Sequence, residues 1–240
     1  MERTTQMKTH YIFDVDGTLT PSRQKMDEDF SRFFLHFCTM NSVYLVTGSD
    51  REKTLEQVGS LIYKTCKRVY NCSGSDVYVS SRNVYRDTWT LPILAKQFLE
   101  QCLEEEEDFN IRTGNHIEKR PGMINYSLVG RNATIRDRKA FVEWESWNDS
   151  RSRTVKAFNI MFPKLHATIG GETGIDIGPK GSDKSQILRD FYRKSDKIIF
   201  FGDAIFEGGN DLSLAEAIAS KELGMFYKVT KWEETWEILK

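Results

Sequence analysis

Short apolar runs alternate with helical stripes at the start of the chain. Tyr11–Val15 is apolar and reads as a strand. Met26, Phe30, Phe33, Phe34 and Phe37 then recur at helical spacing, so Met26–Cys38 is predicted to be a helix with one buried stripe. Val43–Val46 reads as a second strand. Asp50 follows and can cap a helix whose inner face is Leu55, Val58, Leu61 and Ile62. Strand, helix, strand, helix is the order of a parallel sheet with crossover helices.

The pattern then changes. VYVSSRNVYR reads as a hairpin around Ser81, Arg82 and Asn83. Leu94–Leu103 is helical and runs into the acidic stretch Glu104–Asp108, read as a solvated helix end. FNIRTGNHIEKRPGMINYSLVG reads as two antiparallel strands, followed by helices around Lys139–Trp147 and Ser152–Phe162. LHATIGGETGIDIG is again strand-like, so residues 85–182 are expected to be an inserted α+β unit. The first pattern resumes at Asp183, an N-cap for a helix to about Tyr192. Lys197–Phe201 is a very apolar strand, and Thr230 with Glu233 forms a capping box for a terminal helix. The predicted fold is thus an α/β core, residues 1–84 and 183–240, split by the insert. There is no internal repeat.

With 240 residues, the chain is long enough for a core and a smaller second unit. A net charge of −1 gives no general attraction to nucleic acid or to an anionic membrane, and neither is expected as a partner. The residues before Tyr11 lack an apolar signal region, and no apolar run reaches the length of a membrane span. Cys38, Cys66, Cys72 and Cys102 show no CxxC pairing, so reduced, mostly buried thiols and a cytoplasmic location are expected.

The chemistry centres on IFDVDGTLT. In an open parallel sheet, ligands bind beyond the carboxyl ends of the strands. Asp14 and Asp16 stand at one such end and Asp203 at another. Carboxylates gathered there repel one another unless a cation joins them. Mg2+ suits a site with few protein carboxylates and a phosphate ligand. A calcium loop does not fit, because the glycine comes too early and the twelfth position is Lys25.

DVDGT, Thr47 in VTGSD, Lys184 and GDAIFEGGND, in that order, resemble the haloacid dehalogenase (HAD) superfamily of phosphoryl-transfer enzymes. The resemblance implies a doubly wound, Rossmann-like core with a cap of the C2b type. It makes Asp14 a nucleophile that forms an aspartyl phosphate and Asp16 the general acid/base. Thr47 and Lys184 would hold phosphoryl oxygens, and Asp14, Asp16 and Asp203 would hold Mg2+.

TPSRQK, RTGNHIEKRPGMINYSLVGR and GGETGIDIGPKGSDK are similar to the eukaryotic-type α-phosphomannomutases, in the same order along almost the whole chain. That implies interconversion of mannose 6-phosphate and mannose 1-phosphate, with glucose phosphates as further substrates, for GDP-mannose synthesis. It also implies a hexose 1,6-bisphosphate activator and a homodimer formed through the cap. Arg23, Arg120, Arg131 and Arg138 would bind phosphate or line the cleft, which suits planar guanidinium groups. Asn125 and Asp176 would meet sugar hydroxyls, and Asn210 and Asp211 would order the last loop. The chain departs from the family pattern at several positions. Gly174 replaces a serine of the distal phosphate site, and Cys72-Ser73-Gly74 replaces ENG. Ala204 and Ile205 replace Lys and Thr, Ser182 replaces Trp, and Thr47 stands where these mutases have Gly. The alternative is a Mg2+-dependent sugar-phosphate phosphatase.

Overall fold

A computed structural model describes residues 8–191 and 196–240. Strands β1 (Thr9–Phe13), β2 (Ser42–Val46), β3 (Arg68–Asn71), β4 (Asp76–Val79) and β5 (Arg82–Arg86) come from the first part of the chain. They join β10 (Lys197–Gly202) and β11 (Gly224–Lys228) in one sheet of order β11-β10-β1-β2-β3-β4-β5. From β11 to β3 the strands are parallel, and β4 and β5 add antiparallel neighbours. The central strands are apolar because both faces are covered. Ile12 pairs with Phe200 and Phe13 with Phe201, and the latter two rings stack at 4.8 Å.

Alternation sends Phe13 and Ile12 to opposite faces. Phe13 meets the helices α1 (Glu28–Met40), α2 (Arg51–Thr65) and α7 (Trp232–Leu239). Ile12 meets α6 (Leu212–Ser220) and a 3-10 turn at Lys184–Asp190. The core is therefore doubly wound, as predicted, and its first strand ends two residues earlier than the apolar run suggested.

Asp27 caps α1 by accepting from the backbone N–H of Asp29 and Phe30. Phe30 and Phe34 are fully buried, Phe33 and Phe37 pack at the margin, and Met26 is buried just ahead of the helix. Asp50 caps α2 through the Lys53 N–H, and Val58 and Ile62 face inward. Leu61 does not: it is 67% exposed, whereas Tyr63 is 1% exposed. Gly59, with φ 76°, breaks the helix and resets the phase of the residues after it.

The insert forms a second, antiparallel sheet. Its strands are β6 (Ile117–Arg120), β7 (Met123–Tyr126), β8 (Leu165–Gly170) and β9 (Gly174–Pro179), in the order β6-β7-β9-β8. Helices α3 (Ile93–Glu105) and α5 (Ser150–Met161) back one face, with Leu99 and Phe158 packed on Tyr126 and Ile175. Helix α4 (Ile135–Asn148) starts at a Thr134–Asp137 capping box and carries Phe141 into a cluster with Phe109 and Val129. Within the acidic stretch after α3, Glu106 is not free in solvent, since it accepts from Ser150 Oγ and pairs with Arg153.

Three further expectations change. The hairpin turns at Ser80 and Ser81, so Arg82 and Asn83 already lie in β5. Asp183 does cap the next segment, through the Ser185 N–H, but that segment is a 3-10 turn rather than an α-helix. Eclipsed i and i+3 positions send Lys184 to the site and Ile187 into the core, and Asp190 bonds the Tyr70 hydroxyl. The expected end at Tyr192 lies outside the described residues. Before α7, Thr230 is partnered by Glu234 rather than Glu233. Among the described residues no helix is long and apolar enough to cross a membrane.

Candidate active site

Asp14 directly follows β1, and its N–H donates to Phe201 O at 2.9 Å. Asp203 directly follows β10. Gly17, with φ +79°, lets the intervening turn lie against Asp203, because any side chain there would collide with Asp203 Oδ2. The fully buried Lys184 ammonium donates to Asp14 Oδ1 at 2.6 Å and to Asp211 Oδ1 at 2.7 Å. Asp211 Oδ2 accepts the Ala204 N–H at 3.0 Å. That bond uses backbone, so the loop keeps it although the side chains at 204 and 205 differ from the family pattern. Ile205 instead packs with Ile187, Leu188 and Leu214.

Carboxylate oxygens of Asp14, Asp203 and Asp211 lie within 4.8 Å of one another. Three carboxylates against one ammonium leave a negative surplus, and an all-oxygen donor set fits a hard divalent cation. Burial raises the Asp14 carboxyl well above its ordinary value, against the pull of Lys184 and with Asp211 and Asp203 adding to the rise. Asp203 is pushed up to about 7 by burial and then by Asp211. Burial would lower Lys184, but Asp14 and Asp211 outweigh it and hold the ammonium charged.

The Asp16 carboxylate does not join this group, and Asp211 stands in its place. Asp16 Oδ1 accepts from the Arg23 N–H at 2.6 Å and Gln57 Nε2 at 3.0 Å, and Oδ2 accepts from Ser49 Oγ at 3.2 Å. Arg23 presents its N–H from a left-handed backbone, φ 57°. Thr47 is buried, and its hydroxyl accepts the Ser49 N–H. Burial pushes the nearby Cys72 thiol up, so it is protonated and unreactive.

The insert supplies the opposite wall of one cleft, whose core side includes Asp14, Asp16, Thr47 and Asp203. Arg23, Arg120, Arg131, Arg138, Asn125 and Asp176 all line it. Arg120 is buried, donates Nη1 to Gly48 O at 2.6 Å and donates Nε and Nη2 to Glu118. Arg131 Nε lies 3.1 Å from the same Glu118 oxygen without a well-aligned hydrogen bond. Burial would raise Glu118, but Arg120 and Arg131 hold it below its usual value. Burial, then Arg120 and Arg23, push Arg131 down to about 10. An arriving anion would relieve that crowding of positive charge. Arg138 donates to Thr173 Oγ1 and Glu172. Asp176 accepts from Asn125 Nδ2 at 2.7 Å and Asn210 Nδ2 at 3.2 Å.

Gly174 stands behind Asn125 rather than on the cleft wall; a Cβ there would lie 2.5 Å from Asn125 Nδ2. Sequence reasoning missed Gln57, Ser49 and Glu118. Ser49 and Glu118 sit inside the motifs TGSD and IEKR, and Gln57 is a polar residue on the inner face of α2.

A model of the eukaryotic phosphomannomutase family matches residues 30–240. A phosphomannomutase of Encephalitozoon cuniculi is 33% identical over 216 residues, covering 86% of this chain and 84% of the relative. One of Spinacia oleracea is 33% identical over 236 residues, covering 93% and 91%. Among solved structures, a truncated, IMP-bound Plasmodium falciparum IMP-nucleotidase superposes with a TM-score of 0.64 at 17% identity, over 98% of this chain and 68% of that one. The HAD subclass IIB sugar phosphatase BT4131 gives 0.53 at 15% identity, over 96% and 91%. These structures show the fold, an α/β core with an inserted cap. The family match spans every cleft residue from Thr47 to Asn210, and the chain belongs to the eukaryotic phosphomannomutase family.

Proposed function

We propose that the chain is a phosphomannomutase that interconverts mannose 6-phosphate and mannose 1-phosphate, with glucose phosphates as further substrates. It would serve GDP-mannose synthesis in the cytoplasm as a homodimer formed through the cap. Residues 1–84 and 183–240 are the catalytic core, and residues 85–182 are the cap that sets specificity. One observation carries the reading: a single cleft has a carboxylate–lysine centre in its core wall and converging guanidinium groups in its cap wall. A mutase needs both, because it holds one phosphate for transfer while gripping the other.

An Asp14 carboxylate oxygen attacks phosphorus, and the sugar oxygen leaves with a proton from Asp16. Asp16 takes that proton back from the free hydroxyl of a hexose monophosphate, whose oxygen attacks the aspartyl phosphorus, breaks its bond to Asp14 and gives a hexose 1,6-bisphosphate. The bisphosphate turns end for end, and Asp14 attacks its other phosphorus, so that the isomeric monophosphate leaves and the aspartyl phosphate is restored. Lys184 and Thr47 offset charge on the transferring group. Arg120, Arg131 and Arg138 hold the other phosphate, and Asn125 and Asp176 orient the hydroxyls. Asp14, Asp203 and Asp211 would hold Mg2+, which when bound neutralises the carboxylates and polarises phosphoryl oxygens. The closed cap keeps water from the aspartyl phosphate. A hexose 1,6-bisphosphate first loads Asp14.

Mannose 1-phosphate incubated with Mg2+, with and without glucose 1,6-bisphosphate, tests this. Mannose 6-phosphate is expected to appear in a bisphosphate-dependent way, with little inorganic phosphate, and Asp14→Asn is expected to abolish it. Phosphate release that matches substrate loss and ignores the bisphosphate would assign hydrolysis instead.

A further inference from the structure

Asp16 supplies and recovers the proton in the proposed cycle, so the direction in which its carboxylate points sets the rate. We infer that Gln57 is a positioning residue that holds Asp16 for proton transfer. The inference rests on Asp16 being the acid/base.

Gln57 is 2% exposed on the inner face of α2, beside Val58. Its Nε2 donates to Asp16 Oδ1 at 3.0 Å and to Thr20 Oγ1 at 3.1 Å. Among the described residues its Oε1 has no hydrogen-bond partner, so the contacts the amide makes are the two its N–H group donates. The Gln57 backbone carbonyl accepts the Met26 N–H at 2.8 Å, which ties α2 to the loop that carries Arg23. The Arg23 N–H is the second donor to Asp16 Oδ1, at 2.6 Å. With Oδ1 occupied by two N–H donors, the transferable proton is confined to Oδ2, which accepts from Ser49 Oγ, its one hydrogen-bond neighbour among the described residues. Without Gln57, the carboxylate turns about its Cβ–Cγ bond and the proton is shared between two oxygens.

The test compares two phosphoryl donors. Transfer from a sugar phosphate requires a proton on the leaving alkoxide; transfer from acetyl phosphate to Asp14 releases acetate, which requires none. In Gln57→Leu, kcat on mannose 1-phosphate with Mg2+ and bisphosphate is expected to fall roughly 10- to 100-fold, with KM little changed. Loading of Asp14 by acetyl phosphate is expected to stay within about twofold. The melting temperature is expected to hold or rise, and Gln57→Met, which keeps length without a donor, is expected to behave alike. In an Asp16→Asn background the Gln57→Leu effect is expected to vanish. Unchanged kcat in both Gln57 variants, equal losses with both donors, or a loss that persists beside Asp16→Asn would each overturn the assignment. Full activity of Asp16→Asn alone would instead remove the acid/base reading beneath it.

Discussion

Asp14 and Lys184 stand 170 positions apart in the chain, and the end of β1 and the start of the 3-10 turn bring them within 2.6 Å. Arg120 and Asn125, across the cleft, come from the two strands of one hairpin. The core wall is fixed by the packing of the whole sheet, and its charges are buried against one another. The cap wall is local in sequence, and its arginines rest largely on Glu118, Glu172 and Thr173, partners that a ligand can displace, although Arg120 also reaches Gly48 O in the core. Rigid, buried charge suits bond making; displaceable charge suits binding and letting go.

Substitutions on the core wall should therefore damage folding and turnover together. Lys184→Met leaves Asp14 and Asp211 buried and unpaired, and is expected to cost about 3–5 kcal/mol in urea unfolding besides abolishing turnover. A stable, active variant would break the contrast. Arg131→Ala on the cap wall is expected to weaken bisphosphate binding roughly 10- to 100-fold, measured by calorimetry, with a far smaller change in unfolding free energy.

Metal removal sharpens the contrast through pH. Asp203 sits at about 7 in the folded chain, above the ordinary 3.8, because of burial first and Asp211 second. Its bound proton therefore stabilises the metal-free fold fully below 3.8, and that contribution is lost as pH rises through about 7. Mg2+ replaces the proton, so the rise in melting temperature on adding Mg2+ should grow from about pH 6 to about pH 8. Asp203→Asn should flatten that growth. The smallest effect is expected for Gly174→Ser. The new Cβ displaces Asn125 from Asp176, lowering stability by about 1 kcal/mol and changing sugar affinity only a few-fold.

Much of the core was legible because its strands are apolar on both faces and end on Asp14 and Asp203. Leu61 was misread because a single Gly59 shifts the helical phase, which periodicity over a short window does not register. Strands β3 and β11 and helix α6 are short and lack a clear period. The pairing of Asp14 with Asp16 in one motif suggested that both meet the cation. The Asp16 carboxylate accepts from Gln57 and Ser49, donors from other segments whose approach only the folded chain specifies. The carboxylate that clusters with Asp14 and Asp203 is that of Asp211, which Lys184 and the Ala204 N–H aim inward.

The cap meets the core through a rung of backbone pairing. The Ile169 N–H at the end of β8 donates to Gly208 O, and Ile169 O accepts the Asn210 N–H at 3.1 Å. The segment so zipped runs from Asp203 to Asp211, and those residues carry two of the three clustered carboxylates. Parting the cap from the core therefore means breaking these two backbone hydrogen bonds beside those carboxylates.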